Sequence, residues 1–194
     1  MREILPGVFH WTVDWPGVFP LESYWLKTDT GSILIDPIEG PDLGAIEESG
    51  DVLAVILTTG GHERSAGLFA RRTGATMYIP AVDERLIENP GEYATYEDGE
   101  TLPGRMLAIA TPGQRMADGE HALLSPLHGG TLIVGDCLGT AAKWTPWEEL
   151  PLGGHPRTHS HPAESLSHLL DHEFENLLPG HGQPILGGAR GASE

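Results

Sequence analysis

The sequence predicts an α/β sandwich, two mixed β-sheets packed face to face with helices on their outer surfaces. Three features carry that expectation. Short apolar runs bounded by turn residues fill both halves of the chain, so each half builds its own strands. The run "VLAVILT" (52–58) is continuous and rich in β-branched residues, as a strand covered on both faces must be. It leads into a helix and then another apolar run, a strand–helix–strand unit that sets a helix against a sheet.

In chain order, "VFHWTV" (8–13), "SYWLKT" (23–28) and "SILID" (32–36) are predicted strands, with turns at "WPGVFP" and "TDTG". "PDLGAIEE" (41–48) is a brief helix with Pro41 near its start. After strand 52–58, "RSAGLFARRTG" (64–74) is a helix with Ser65 as its cap and Gly74 as its stop. Strand "TMYIP" (76–80) closes that unit. The second half supplies strands "RMLAIA" (105–110), "HALLSP" (121–126) and "TLIVGD" (131–136). "AESLSHLLDHEF" (163–174) is an amphipathic helix with Leu166, Leu169, Leu170 and Phe174 on one stripe. "ENLLPGHG" (175–182) is a short strand ending in a turn. The stretch from 139 to 162 is rich in Pro, Gly, Trp and His and is expected as a long loop. Residues 187–194, mostly Gly and Ala, are expected to fray. No repeat or linker interrupts the pattern, so residues 1–194 form one domain.

Composition narrows the partners. The 11 basic and 28 acidic residues give a formal net charge of −17, which repels phosphate backbones and anionic lipid, so nucleic acid and membrane partners are not expected. No apolar run approaches the roughly 20 residues a membrane-spanning helix needs. The start, "MREILPGVFHWT", lacks the features of a signal peptide. A single cysteine, Cys137, excludes an internal disulfide and fits a cytoplasmic protein.

Five pieces in order, "SILIDP", "ILTTGGHERSAG", "ATPGQ", "LIVGDCLG" and "LLPGHGQP", resemble the metallo-β-lactamase superfamily over most of the chain. That resemblance implies the αββα sandwich, with a one- or two-zinc site at one rim and hydrolysis of lactams, thioesters, esters or phosphodiesters. The family's first motif runs T-H-x-H-x-D-H-x-G-G. Setting Thr58 and Gly67 on its ends puts Thr59 and Gly61 on the first two histidines, Glu63 on the aspartate and Arg64 on the last histidine. His62 falls one step off a ligand place. Gln114 stands where a further histidine binds, Asp136 matches the bridging aspartate and His181 the final histidine. Asp36 matches a carboxylate that orders the ligand loop.

The frame is kept while ligands are lost. Zinc takes three or four His, Cys or carboxylate ligands at about 2.0–2.3 Å, and Thr59, Gly61 and Gln114 supply none. Arg64 carries a permanent charge and no lone pair, and the expectation is that it takes over the charge of a metal by pairing with Asp136 or Glu63. No cofactor is then expected, no dinuclear centre and no β-lactamase activity. The alternative is one Zn or Mn ion on Asp136, His181, and Glu63 or His62. His62 itself is read as a polar turn residue, with a ligand brought in by a shifted register as the other option. The expected catalytic set is Asp136, His181, Glu63 and Arg64, and the pocket lining Thr59, Gly61, His62, Gln114 and Asp36. Cys137, neighbouring Asp136, is expected to face the core. His155, His159 and His161, like His168 and His172, are read as solvated rather than metal-binding.

Three functions follow: a degraded-site relative whose pocket takes a small molecule, a one-metal hydrolase of ester or thioester bonds, or an interaction domain that oligomerises through the Trp144 and Trp147 loop.

Overall fold

A computed structural model of the chain describes residues 1–14, 20–40, 43–88, 90–111, 119–140, 144–146 and 163–190. The first sheet has seven strands in sequence order: β1 (Arg2–Leu5), β2 (Val8–Val13), β3 (Leu21–Thr28), β4 (Gly31–Ile35), β5 (Val52–Ile56), β6 (Thr76–Pro80) and β7 (Tyr93–Tyr96). β1 to β4 run antiparallel to their neighbours, while β4, β5, β6 and β7 are parallel. The second sheet comprises β8 (Thr101–Leu102), β9 (Met106–Ala110), β10 (His121–Ser125) and β11 (Thr131–Val134), with β14 (Asn176–Pro179) and β15 (Ile185–Leu186) beyond them. Within it β11 and β14 are parallel. Between those two in sequence, β12 (Leu138–Thr140) and β13 (Trp144–Pro146) form a small ribbon.

Alternation on the strands builds three apolar layers. Tyr24, Leu26, Ile33, Ile35, Ala54 and Ile56 of the first sheet meet Met106, Ala108, Leu123, Ile133 and Leu178 of the second. On the opposite face of the first sheet, Trp25, Leu34, Val55 and Met77 pack under Ile46 of α1 (Leu43–Ser49) and Phe69 of α2 (Ala66–Thr73). Leu169 and Phe174 of the C-terminal segment cover Leu132, Val134 and Leu177 on the outside of the second sheet. Helices therefore lie on both outer faces, and the expected αββα sandwich is what forms. No helix among the described residues is long and apolar enough to cross a membrane.

Several local expectations shift. Gly74 ends α2 as predicted, at φ 74 with its N–H on the Ala70 carbonyl. Ser65 does not cap it; its hydroxyl accepts the Glu39 N–H at 2.9 Å, fastening α2 to the chain that leaves β4. The segment Ala163–Asp171 winds as 3₁₀ rather than α-helix, while Leu169 still faces inward. His168 is not a free surface group, since its Nε2 meets the Ala110 carbonyl at 3.0 Å. Of the expected tail, residues 187–190 are anchored: Ala189 is buried, Gly187 N–H bonds the Asn176 side chain, and Arg190 pairs with Glu173. Trp144 opens β13, and Trp147, Gln114, His155, His159 and His161 lie outside the described residues.

Candidate metal centre

The site stands where parallel strands of both sheets end. Asp36 follows β4, the 59–64 loop follows β5, and Gly135–Asp136 and Gly180–His181 follow β11 and β14. Strand ends at a parallel pair leave backbone and side chains free to converge outside the sheet.

Asp36 is the organiser. It is buried, sits at φ 44, and accepts Thr58 N–H at 2.8 Å and Thr58 Oγ1–H at 2.6 Å. Its Oδ2 also lies 2.8 Å from His62 Nδ1. Beyond Thr58 the chain makes a 3₁₀ turn, Gly60–His62, closed by His62 N–H on the Thr59 carbonyl at 3.0 Å. This turn leaves Gly61 exposed and swings His62 back over the strand ends, where it is buried. His62 thus lies in a turn, as expected, and its ring is buried against Asp36 and Asp136.

His62 Nε2 and His181 Nε2 each lie 3.0 Å from the same oxygen, Oδ1 of Asp136. These three side chains are the one group of metal-ligating type among the described residues, with ligand atoms all within 4.8 Å of one another. The two rings are nearly enclosed, at 6% and 5% side-chain exposure, whereas Asp136 keeps 21% and gives the site its contact with solvent. Gly180 is needed at its place, because a Cβ there would come within 2.9 Å of both His62 Cε1 and the Gly135 carbonyl.

The remaining expected residues divide. Thr59 is buried but turns to Asp83 and caps the 3₁₀ turn by accepting Gly61 N–H. Glu63 is half-buried and stands outside the His–Asp–His group. Arg64, at φ 43, does not pair with Asp136 or Glu63 as expected. Its guanidinium donates to the main-chain carbonyls of Glu22, Asp36 and Gly180, and Nη2 lies 3.4 Å from His62 Nε2. Its donors are taken up by carbonyls at the start of β3 and just past the ends of β4 and β14. Replacing Arg64 with Met leaves three inward carbonyls without that donor, and thermal unfolding is expected to show a loss of about 2–4 kcal/mol. Cys137 is buried in the outer layer of the second sheet, as expected.

Electrostatics follow from burial and these contacts. Burial and the Arg64 charge push the His62 imidazole down, but Asp136 and Asp36 outweigh them and hold it up at about 9. Burial lowers His181 despite its bond to Asp136. Burial alone would raise Asp136, yet His62 and His181 hold its carboxyl well below the ordinary range. Glu120, which accepts the Cys137 N–H at 2.7 Å, is pushed up to about 8 by burial and by the Asp136 charge. Sequence reasoning missed Glu120 and Asp83, since no local pattern marks either; His62 was detectable as the single histidine between β5 and α2.

Proton counting tests whether a metal fits. His181 Nδ1 faces the Pro20 carbonyl at 3.0 Å, so it carries the hydrogen of a neutral ring, and Nε2 then turns a lone pair on Asp136 Oδ1. His62 Nδ1 donates to Asp36, and because the metal-free ring holds its second proton to about 9, its Nε2 becomes a lone-pair donor only when that proton leaves. Both rings present Nε2 to one carboxylate oxygen, an arrangement a cation satisfies. The donor set fits a divalent metal, with Asp36 and the Pro20 carbonyl orienting the two rings. Asp36→Asn should weaken metal binding about 10–100-fold, as read by competition with a chromophoric chelator, because the amide no longer fixes the ring.

No protein-family model matches the chain, and no curated protein matches it in sequence. Solved structures do match in fold. A metallo-beta-lactamase family protein from Thermus thermophilus superposes with a TM-score of 0.67 at 21% identity, over 98% of this chain and 78% of that one. The DIM-1 metallo-beta-lactamase gives 0.72 at 15% identity, over 97% and 91%. A metallo beta lactamase from Hirschia baltica gives 0.67 at 14%, over 97% and 92%. The chain has the metallo-β-lactamase fold.

Proposed function

We propose that this chain is a hydrolase that works with one divalent metal, zinc or manganese, held by His62 Nε2, Asp136 Oδ1 and His181 Nε2. The observation that carries the reading is the convergence of two ring nitrogens, each with its other nitrogen committed elsewhere, on one carboxylate oxygen. A metal held there supplies Lewis acidity, making a water more acidic and polarising the carbonyl of an ester, thioester or related bond.

The protein groups divide the remaining work. Asp36 and the Pro20 carbonyl hold the rings in the tautomer that points Nε2 at Asp136. Asp136, the most exposed of the three, orients water through its second oxygen; its depressed basicity suits it to accept a hydrogen bond rather than a proton. Arg64 provides a fixed positive charge beside His62, which opposes the approach of a second cation and favours a mononuclear centre. Metal analysis of protein purified without added zinc tests the reading: about one equivalent per chain, retained through mild chelation, is expected.

A second reading has its own support. His62 lies between Asp36 and Asp136 with Nδ1 2.8 Å and Nε2 3.0 Å from their oxygens, so as an imidazolium it bridges two carboxylates without metal. Arg64 and His62 then carry the charge of the lost centre, and the pocket takes a small molecule without hydrolysing it. Less than a tenth of an equivalent of metal, with no gain in turnover of nitrophenyl esters or thioesters on adding Zn²⁺ or Mn²⁺, favours this reading over the first.

A further inference from the structure

We infer that Asp83, which lies 21 residues beyond His62 and outside the metal group, is the positioning residue that holds the His62 turn in its ligand-presenting shape. This inference rests on the metal reading for one of its two measurements and stands independently on the other.

Asp83 lies in the 3₁₀ segment Ala81–Leu86 that follows β6, and none of it reaches solvent. Its Oδ2 accepts the Gly60 N–H at 2.7 Å and the Thr59 hydroxyl at 3.4 Å. Gly60 opens the turn that carries His62, and Thr59 closes it by taking the His62 N–H on its carbonyl. One carboxylate therefore grips both residues from which the histidine is hung. The contact is direct: a Cβ on Gly60 would fall 2.6 Å from Asp83 Cβ, so the turn backbone rests against this side chain and only glycine fits.

The other oxygen of Asp83 is a cost set against those two bonds. Oδ1 is buried and has no hydrogen-bond partner among the described residues. Leaving a carboxylate oxygen unsatisfied in the interior is costly, and an apolar residue of similar size avoids that cost. The cost is offset by position. A charged acceptor gives a shorter and stronger bond to a backbone N–H than a neutral one, and here that bond sets where a buried imidazole points. Orphaned buried polar atoms of this kind call for a functional explanation.

The test uses the full chain with Asp83→Ala and Asp83→Asn, measured in two ways. Amide hydrogen exchange on metal-free protein is expected to speed up at least tenfold at Gly60–His62 in Asp83→Ala, with Ile33–Ile35 and Leu132–Val134 unchanged. Zn²⁺ affinity, by competition with a chelator, is expected to fall about 10–100-fold, with Asp83→Asn recovering part of both effects because its amide oxygen still accepts from Gly60. Exchange at Gly60–His62 equal to that of the unaltered protein overturns the inference, as does acceleration spread evenly through the core strands. Should Asp83→Ala fail to fold, Asp83→Asn alone decides, by the same local-versus-uniform criterion. A native protein that takes up no zinc counts against the metal reading only; the exchange pattern still decides on Asp83.

Discussion

Asp136→Ala is expected to lower Zn²⁺ affinity by more than about a hundredfold, beyond what loss of an orienting neighbour produces. Asp136 is the only anionic donor of the three, and its Oδ1 is the atom on which both ring nitrogens converge. Without it two neutral imidazoles remain beside the Arg64 guanidinium, a set with one charge of the wrong sign and no carboxylate to balance it. Asp136→Asn keeps the shape and is expected to lose nearly as much affinity, because a neutral amide oxygen is a poor substitute for a carboxylate at a divalent ion. Competition with a chelator of known affinity gives the ratio directly. Asp136→Ala binding zinc within threefold of the unaltered chain removes His62, Asp136 and His181 as the ligand set.

The second large effect is on pH. A ligand imidazole must be unprotonated, and the metal-free His62 holds its proton to about 9. Zinc uptake at pH 7 therefore releases that proton, and affinity should rise close to tenfold per pH unit from 7 until about 9, then level off. The stability of the metal-free protein moves the other way. A histidine raised in the folded state from 6.5 to about 9 stabilises fully below pH 6.5 and loses that contribution as pH rises through 9. At about 1.4 kcal/mol per pH unit, the displacement is worth about 3 kcal/mol. Glu120 adds in the same direction: raised from 4.5 to about 8, it favours the fold below pH 4.5 and ceases to do so as pH passes 8. Metal-free protein should melt lower at pH 9 than at pH 6, and bound zinc should narrow that difference. Equal melting temperatures at the two pH values would mean that His62 is not held between Asp36 and Asp136 as an imidazolium.

Much of the architecture was legible in residue patterning. The strand at 8–13 and that at 76–80 appear with the predicted bounds, and the β-branched run from Val52 forms a central parallel strand. The short edges β1, β7, β8 and β15 escaped notice because two to four residues carry too little periodicity to register. In the candidate site, Asp36, Asp136 and His181 were named through the resemblance of "LIDP", "VGDCLG" and "PGHG", and each stands just beyond a strand end. His62 lies in the expected turn, but that its ring faces Asp36 and Asp136 depends on how the Gly60–Gly61 turn folds. Arg64 was placed in the right neighbourhood with the wrong partners, since a guanidinium's choice between a carboxylate and several carbonyls depends on which turns fold around it.

The layered α/β sandwich and the strands whose ends form the rim could be read from the order of residues alone. Those properties depend on hydrophobic period and residue type, which are local. Packing of the two sheets is what brings His62 to Asp136 and His181, turns Arg64 onto main-chain carbonyls, and sets Asp83 against the turn from another segment. Each of these is a contact between residues far apart in the chain, and its geometry exists only once both sheets have packed.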